Sequence, residues 1–193
     1  MIPIFEGREA TYNKLILETL ITNEPLTTWE IAKQIEPTVD MKGDTYHRTQ
    51  KVYSVLVRKR GRLEDLASKN YISLDEDTRK YRIDLKGIFA ILIEKPELKN
   101  LIHPASLKLS FPHIENRKAS AFGITVAIDG KQLRESMISR KPEEYRALFW
   151  LCSLGTKKLV EEGINLDRIH DETLWVLLAK SKEIQEWVRV SRP

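Results

Sequence analysis

The sequence predicts a mainly α-helical protein with a small β component, and three observations carry that prediction. Apolar residues recur at helical spacing from Ala10 to Leu66. A wholly polar turn then separates two strand-like runs. Long apolar helical patterns return from Pro142 onward. The expected organisation is therefore three helices, a β-hairpin and a fourth helix in residues 1–96, followed by a helical part with a minor β element in residues 97–193.

Ala10 to Thr22 reads as the first helix, with Tyr12, Leu15, Ile16, Thr19 and Leu20 at helical spacing and Asn23 and Pro25 as its stop. Thr27-Thr28-Trp29-Glu30 has the form of a capping box, so the Thr27 hydroxyl and the Glu30 carboxylate each satisfy an amide of the second helix's first turn. Ile31, Ala32 and Ile35 are its expected buried face, and Pro37 ends it. After the polar turn Thr38–Gly43, Asp44 or Thr45 can cap a third helix whose stripe is Val52, Val55, Leu56, Leu63 and Leu66. Gly61 either bends that helix or divides it, and Asn70 suits a left-handed C-cap. Tyr71–Leu74 and Tyr81–Leu85 form the expected hairpin around the turn Asp75–Lys80. Ile88–Ile93 belongs to a short helix that stops before Pro96.

The second half is less regular at first. Pro104 and Pro112 interrupt Leu98–Ile128, which holds one expected strand at Phe122–Ile128. Helical segments are expected at Gly130–Ser139, Pro142–Gly163 and Asp171–Val190. Phe149 and Trp150, or Trp175 and Trp187, are read either as plain core, as a dimer seam or as the lining of an apolar pocket.

Composition narrows the function. Hydrophobic residues make up 41% and charged residues 31% of the 193, a globular balance. A single Cys152, in the apolar run Ala147–Leu154, excludes an internal disulfide framework and a cysteine-cluster metal site, and reads as a small buried hydrophobe. The N-terminus lacks the pattern of a leader, and no apolar run is long enough to span a bilayer, so a cytoplasmic protein without a membrane partner is expected. His47, His103, His113 and His170 show no metal-ligand spacing, and no phosphate-binding glycine motif occurs. The pairs Glu143-Glu144 and Glu161-Glu162 read as a helix-dipole partner and solvated surface. No catalytic site, metal or cofactor is expected.

Charge distribution is more informative than the net +4. The first 96 residues hold 16 basic and 15 acidic side chains, yet Lys42, Arg48, Lys51, Arg58, Lys59, Arg60 and Arg62 cluster around one helix with Asp44 as the only acid. Such a local footprint is what displacement of counterions from phosphates requires. At about 100° per residue, an inward Val52–Leu56 stripe places His47, Gln50 and Ser54 on the outer face, flanked by Tyr46, Lys51, Tyr53 and Arg58. Gln50 can pair with adenine, His47 and Ser54 can meet base-edge acceptors, and Lys51 and Arg58 suit phosphates. Arg48 falls toward the core. Arg79 and Lys80, with Arg82, could reach the backbone from the hairpin's return strand.

Residues 10–93 resemble the winged-helix domains of bacterial and archaeal transcriptional regulators of the PadR/MarR-like type. The resemblance is carried by LTTWEIAKQI (Leu26–Ile35), VYSVLVRKR (Val52–Arg60), KNYIS (Lys69–Ser73) and KYRIDLKGIFAIL (Lys80–Leu92). Two features depart from it: the turn before the third helix is long, and the wing tip Asp75-Glu76-Asp77 is acidic. The resemblance implies a sequence-specific regulator binding double-stranded DNA, with the third helix in the major groove. Tyr46, His47, Gln50, Lys51, Ser54, Arg58, Arg79 and Lys80 are its expected DNA-binding residues. A homodimer is expected because a single winged helix reads few base pairs. No sequence feature supports a small-molecule effector. The alternative is a protein-interaction module within a nucleic-acid-processing assembly.

Overall fold

The computed structural model describes residues 2–58, 61–104, 106, 117–121, 124–128, 142–178 and 180–182. The protein is mainly helical, with a small three-stranded antiparallel sheet. A short 3-10 turn, Pro3–Phe5, buries Ile2, Ile4 and Phe5 and leads to α1 (Ala10–Thr22). The Asn13 amide donates to the Ile4 carbonyl at 2.8 Å, which lets Asn13 lie buried beneath that turn. The buried set of α1 is thus Asn13, Ile16, Leu17, Leu20 and Ile21, rotated from the stripe that begins at Tyr12, because the N-terminal turn covers this side.

The two-residue strand β1 (Leu26–Thr27) runs directly into α2 (Thr28–Ile35). The capping box is formed: the Thr27 amide donates to Glu30 Oε2 at 2.7 Å, and the Glu30 amide donates to Thr27 Oγ1 at 3.4 Å. After a 3-10 turn at Glu36–Thr38, α3 spans Thr45–Val57. Gly61 divides the long helical pattern, and α4 (Arg62–Ser68) follows. A Cβ at Gly61 would stand 2.3 Å from the Leu56 carbonyl oxygen and 2.8 Å from that of Arg58, so only glycine admits this close return of the chain. Asn70 closes α4 in the left-handed region at φ 58°, and the Tyr71 amide donates to the Leu66 carbonyl at 2.9 Å.

The hairpin is β2 (Ile72–Asp75) and β3 (Lys80–Ile83), with Ile72 opposite Ile83 and Asp75 opposite Lys80. Tyr71 lies before β2, and Leu85 opens α5 (Leu85–Glu94) instead of extending β3. Strand order is β1-β3-β2, with Leu26 opposite Tyr81 and Thr27 opposite Lys80. A 3-10 turn, Pro96–Asn100, follows α5.

One apolar cluster runs through both halves of the chain. Every residue from Leu85 to Leu92 is buried, and Phe89 meets Phe149 of α6 (Pro142–Glu161) edge-on, with centroids 5.9 Å apart. Cys152 is buried in the same cluster, and desolvation pushes its thiol well above the ordinary range. After the 3-10 turn Leu166–Arg168, α7 (Asp171–Leu178) packs on α6 and α5. Lys86, fully buried on α5, donates to the carbonyls of Leu166 at 3.0 Å and Ile169 at 2.8 Å, and lies 4.7 Å from the Tyr71 ring centroid. The Tyr71 hydroxyl donates to Asp167 at 2.8 Å. A second pair of strands, β4 (Arg117–Ala121) and β5 (Ile124–Ile128), pairs antiparallel. The segment Gly130–Ser139, Phe122, Trp187 and the side chain of Trp175 lie outside the described residues, as does Asp171–Val190 beyond Ser181 and Lys182. Among the described residues no helix is long and apolar enough to cross a membrane.

Candidate nucleic-acid interface

The entry to α3 is built by side chains that satisfy backbone groups. Asp44 accepts from the His47 amide at 3.0 Å and contacts His47 Nδ1 at 2.5 Å. These hydrogen bonds, the backbone one first, hold the Asp44 carboxyl below the usual carboxylate range. Gly43, just before the cap, has φ 120°, a conformation glycine adopts without strain. Arg48 forms an ion pair with Glu36, which is only 4% exposed, and also donates to the Gly43 carbonyl at 3.0 Å. Arg48 is therefore occupied in pinning the loop before α3 to the end of α2, in keeping with its core-side position on the wheel.

On α3 itself, Thr49, Val52 and Leu56 are buried, while Val55 is only half-buried. Thr49 can occupy the inner face because its hydroxyl donates back to the Thr45 carbonyl at 2.8 Å, leaving a methyl group for the core. The outer face follows: Tyr46, His47, Gln50, Lys51, Ser54 and Arg58 are all exposed. Gln50 Nε2 donates to the Tyr46 hydroxyl at 3.0 Å, which leaves its carbonyl oxygen and a second N–H outward. Ser54 donates to the Gln50 carbonyl at 2.9 Å, so here it offers acceptor lone pairs and not the proton expected for base-edge acceptors, and Lys51 donates to the Lys42 carbonyl at 3.2 Å. His47 Nδ1 faces the Asp44 carboxylate, which leaves Nε2 as its outward ring nitrogen. Lys59 and Arg60 lie outside the described residues.

The hairpin residues belong to the turn and β3, not to α3. Arg79 has φ 55° and is paired with Glu76 at 2.8 Å, both well exposed. Lys80 is half-buried opposite Thr27 and acts electrostatically on Glu30. Arg82 donates to Ser73 Oγ at 2.8 Å and lies 3.8 Å from Asp84. At the tip, Asp75 accepts from the amides of Asp77 at 3.0 Å and Thr78 at 3.1 Å, which holds its carboxyl below the usual range. The tip acids are exposed, and Arg79 and Arg82 each have an acid within ion-pair distance.

Sequence reasoning missed Trp29. Its ring lies 6.1 Å from that of Tyr46 and 5.7 Å from that of Tyr53, so α2 braces two aromatic residues on one face of α3. Nothing in the local pattern signals this, because Trp29 reads simply as the second residue of a capped helix; only the packing of α2 on α3 brings the rings together. Tyr46 is 59%, Tyr53 36% and Val57 47% exposed, so an apolar flank runs beside the polar one.

Comparison with family models, curated proteins and solved structures finds no match. The geometry of the chain itself carries the functional argument. Among the described residues, no group of three or more His, Cys, Asp or Glu side chains could hold a metal ion.

Proposed function

We propose that this chain is a sequence-specific double-stranded DNA-binding transcriptional regulator of the winged-helix type, acting as a homodimer with α3 in the major groove. The observation that carries the reading is the outer face of α3, where exposed His47, Gln50 and Ser54 lie between Lys51 and Arg58 on one side and Tyr46 on the other. An α-helix fits the major groove, where Gln50 can pair with adenine and the flanking cations can meet phosphates on the groove walls. The order α1-β1-α2-α3, then the short α4, β2 and β3, with β3 central in the sheet, supports the winged-helix part of the reading. Pairing two copies on a symmetric site, with half-sites about 34 Å apart, supplies the affinity a single helix lacks.

The acidic hairpin tip favours a second reading, in which the same helix docks on a protein surface. One experiment separates the two: an anisotropy titration of the full chain against a randomised duplex and against the duplex upstream of its own gene, at low and moderate salt. Salt-sensitive binding with preference for one duplex is the expected result. Absence of duplex binding at low salt refutes the DNA reading and leaves the protein-docking one.

A further inference from the structure

We propose that α3 reads the C5-methyl groups of thymine, so that the protein selects duplexes with A·T pairs clustered around the adenine met by Gln50. The inference rests on the reading of α3 as a duplex-DNA interface and adds the chemical class of the site it prefers. Steps of about 100° per residue put Tyr46, Tyr53 and Val57 within roughly 40° of one another, with Gln50 at the edge of that group. Lys51 and Arg58 lie about 100° further round, and the buried Thr49, Val52 and Leu56 lie on the opposite side. The outward half of the helix is thus divided lengthwise into an apolar flank and a cationic one.

That division calls for a partner that offers apolar and anionic groups side by side. An apolar protein groove would strand Lys51 and Arg58, and an acidic protein surface would strand Val57, 47% exposed, and Tyr46, 59% exposed. The major groove meets both demands at once: phosphates line its walls, and the thymine methyl is the one apolar group presented by its base edges. The apolar flank is also held in place. Trp29 touches both Tyr46 and Tyr53, and the Tyr46 hydroxyl is fixed as the acceptor of the Gln50 amide. Along the axis Tyr46 and Tyr53 stand about 6 and 4.5 Å from Gln50 at 1.5 Å per residue, a reach of one or two base-pair steps. Adenine read by Gln50 and thymines read by its neighbours then belong to one contiguous A·T-rich half-site.

The test replaces thymine by uracil, which removes the methyl and keeps every hydrogen-bonding group. The full chain is used to recover bound duplexes from a randomised pool, and the recovered sequence is remade with deoxyuridine for thymidine. Recovery of A·T-rich sequence, with about a fourfold loss of affinity per contacted methyl in the uracil form, is the expected result. Val57→Ser and Tyr46→Ser, both at exposed positions, are expected to bind the two forms more equally. Equal affinity of the unaltered protein for both forms overturns the inference and leaves duplex binding standing. Full discrimination retained by both variants overturns its assignment to this flank. Failure to retain any duplex overturns the DNA reading itself, and the inference with it.

Discussion

Gln50 and Lys51 are neighbours on α3 with different expected work, and the difference is measurable. Gln50 has an amide oxygen and an N–H left over for a base edge, whereas Lys51 offers a point charge beside the groove wall. Gln50→Ala is expected to cost ~1–3 kcal/mol of binding and to relax base preference at one position. Lys51→Ala is expected to weaken all duplexes alike and to reduce the salt slope by about one. Parallel titrations of specific and random duplex over several salt concentrations check both; equal losses on both duplexes for both variants would end this division of roles. Asp44 carries a further prediction. Its folded carboxyl lies below the ordinary value, so its contribution is present above the unfolded value and is lost as pH falls through the folded one. Asp44→Ala is therefore expected to unfold at lower temperature near neutral pH and to lose less stability than the unaltered chain on acidification below about pH 4.

At the scale of elements, the approach from α2 to α3 depends on Arg48 and Glu36. Removing the guanidinium leaves a buried carboxylate without its charge partner, so Arg48→Met is expected to destabilise the chain by ~2–3 kcal/mol. Adding Glu36→Gln should return part of that loss, read as a rise in the urea midpoint; no recovery would mean that the pair is not the cause. The same elements show what could be read in advance. The limits of α1, the capping box at Thr27, the Asp44 cap and the left-handed Asn70 are each decided by side chains within four residues, and the sequence states them directly. The outer face of α3 was legible for a related reason, since Val52 and Leu56 fix which side is inward. β1 was not legible: two residues carry no alternation, and Leu26–Thr27 is a strand only because β3 lies beside it. β4, with the composition RKASA, has the same dependence on its partner β5. Trp29 escaped because its ring partners are 17 and 24 positions away and meet it only through packing.

At the scale of the whole molecule, Lys86, Tyr71 and Asp167 join the two halves, with Lys86 and Tyr71 fully buried and Asp167 at the edge of the site. Burial above all, then Asp167, pushes the Tyr71 hydroxyl far above its ordinary 10.0, and burial lowers Lys86 from 10.5. The signs are opposite. Above about pH 10 the folded chain keeps a Tyr71 proton that the unfolded chain has lost, so stability falls as pH rises. Between the lowered Lys86 value and 10.5 the unfolded chain binds more protons, so Lys86 raises stability with pH there. Tyr71→Phe is expected to lose about 1 kcal/mol at neutral pH, with the hydrogen bond to Asp167, and to decline less steeply above pH 10. Urea midpoints across the alkaline range check this, and an unchanged slope would show that Tyr71 does not govern it.

Helix α5 is apolar on every side because both halves of the chain use it, from Ile88 to Leu92. The winged-helix reading covers residues up to 93, but the packing that buries α5 extends beyond them. A piece ending at residue 96 would leave the Phe89 ring without Phe149 and the Lys86 ammonium without the carbonyls of Leu166 and Ile169. Grafted onto another protein, that piece would take α3 along and leave behind the cover of its last helix. Residues 1–96 are therefore expected to need the second half of the chain wherever they are moved.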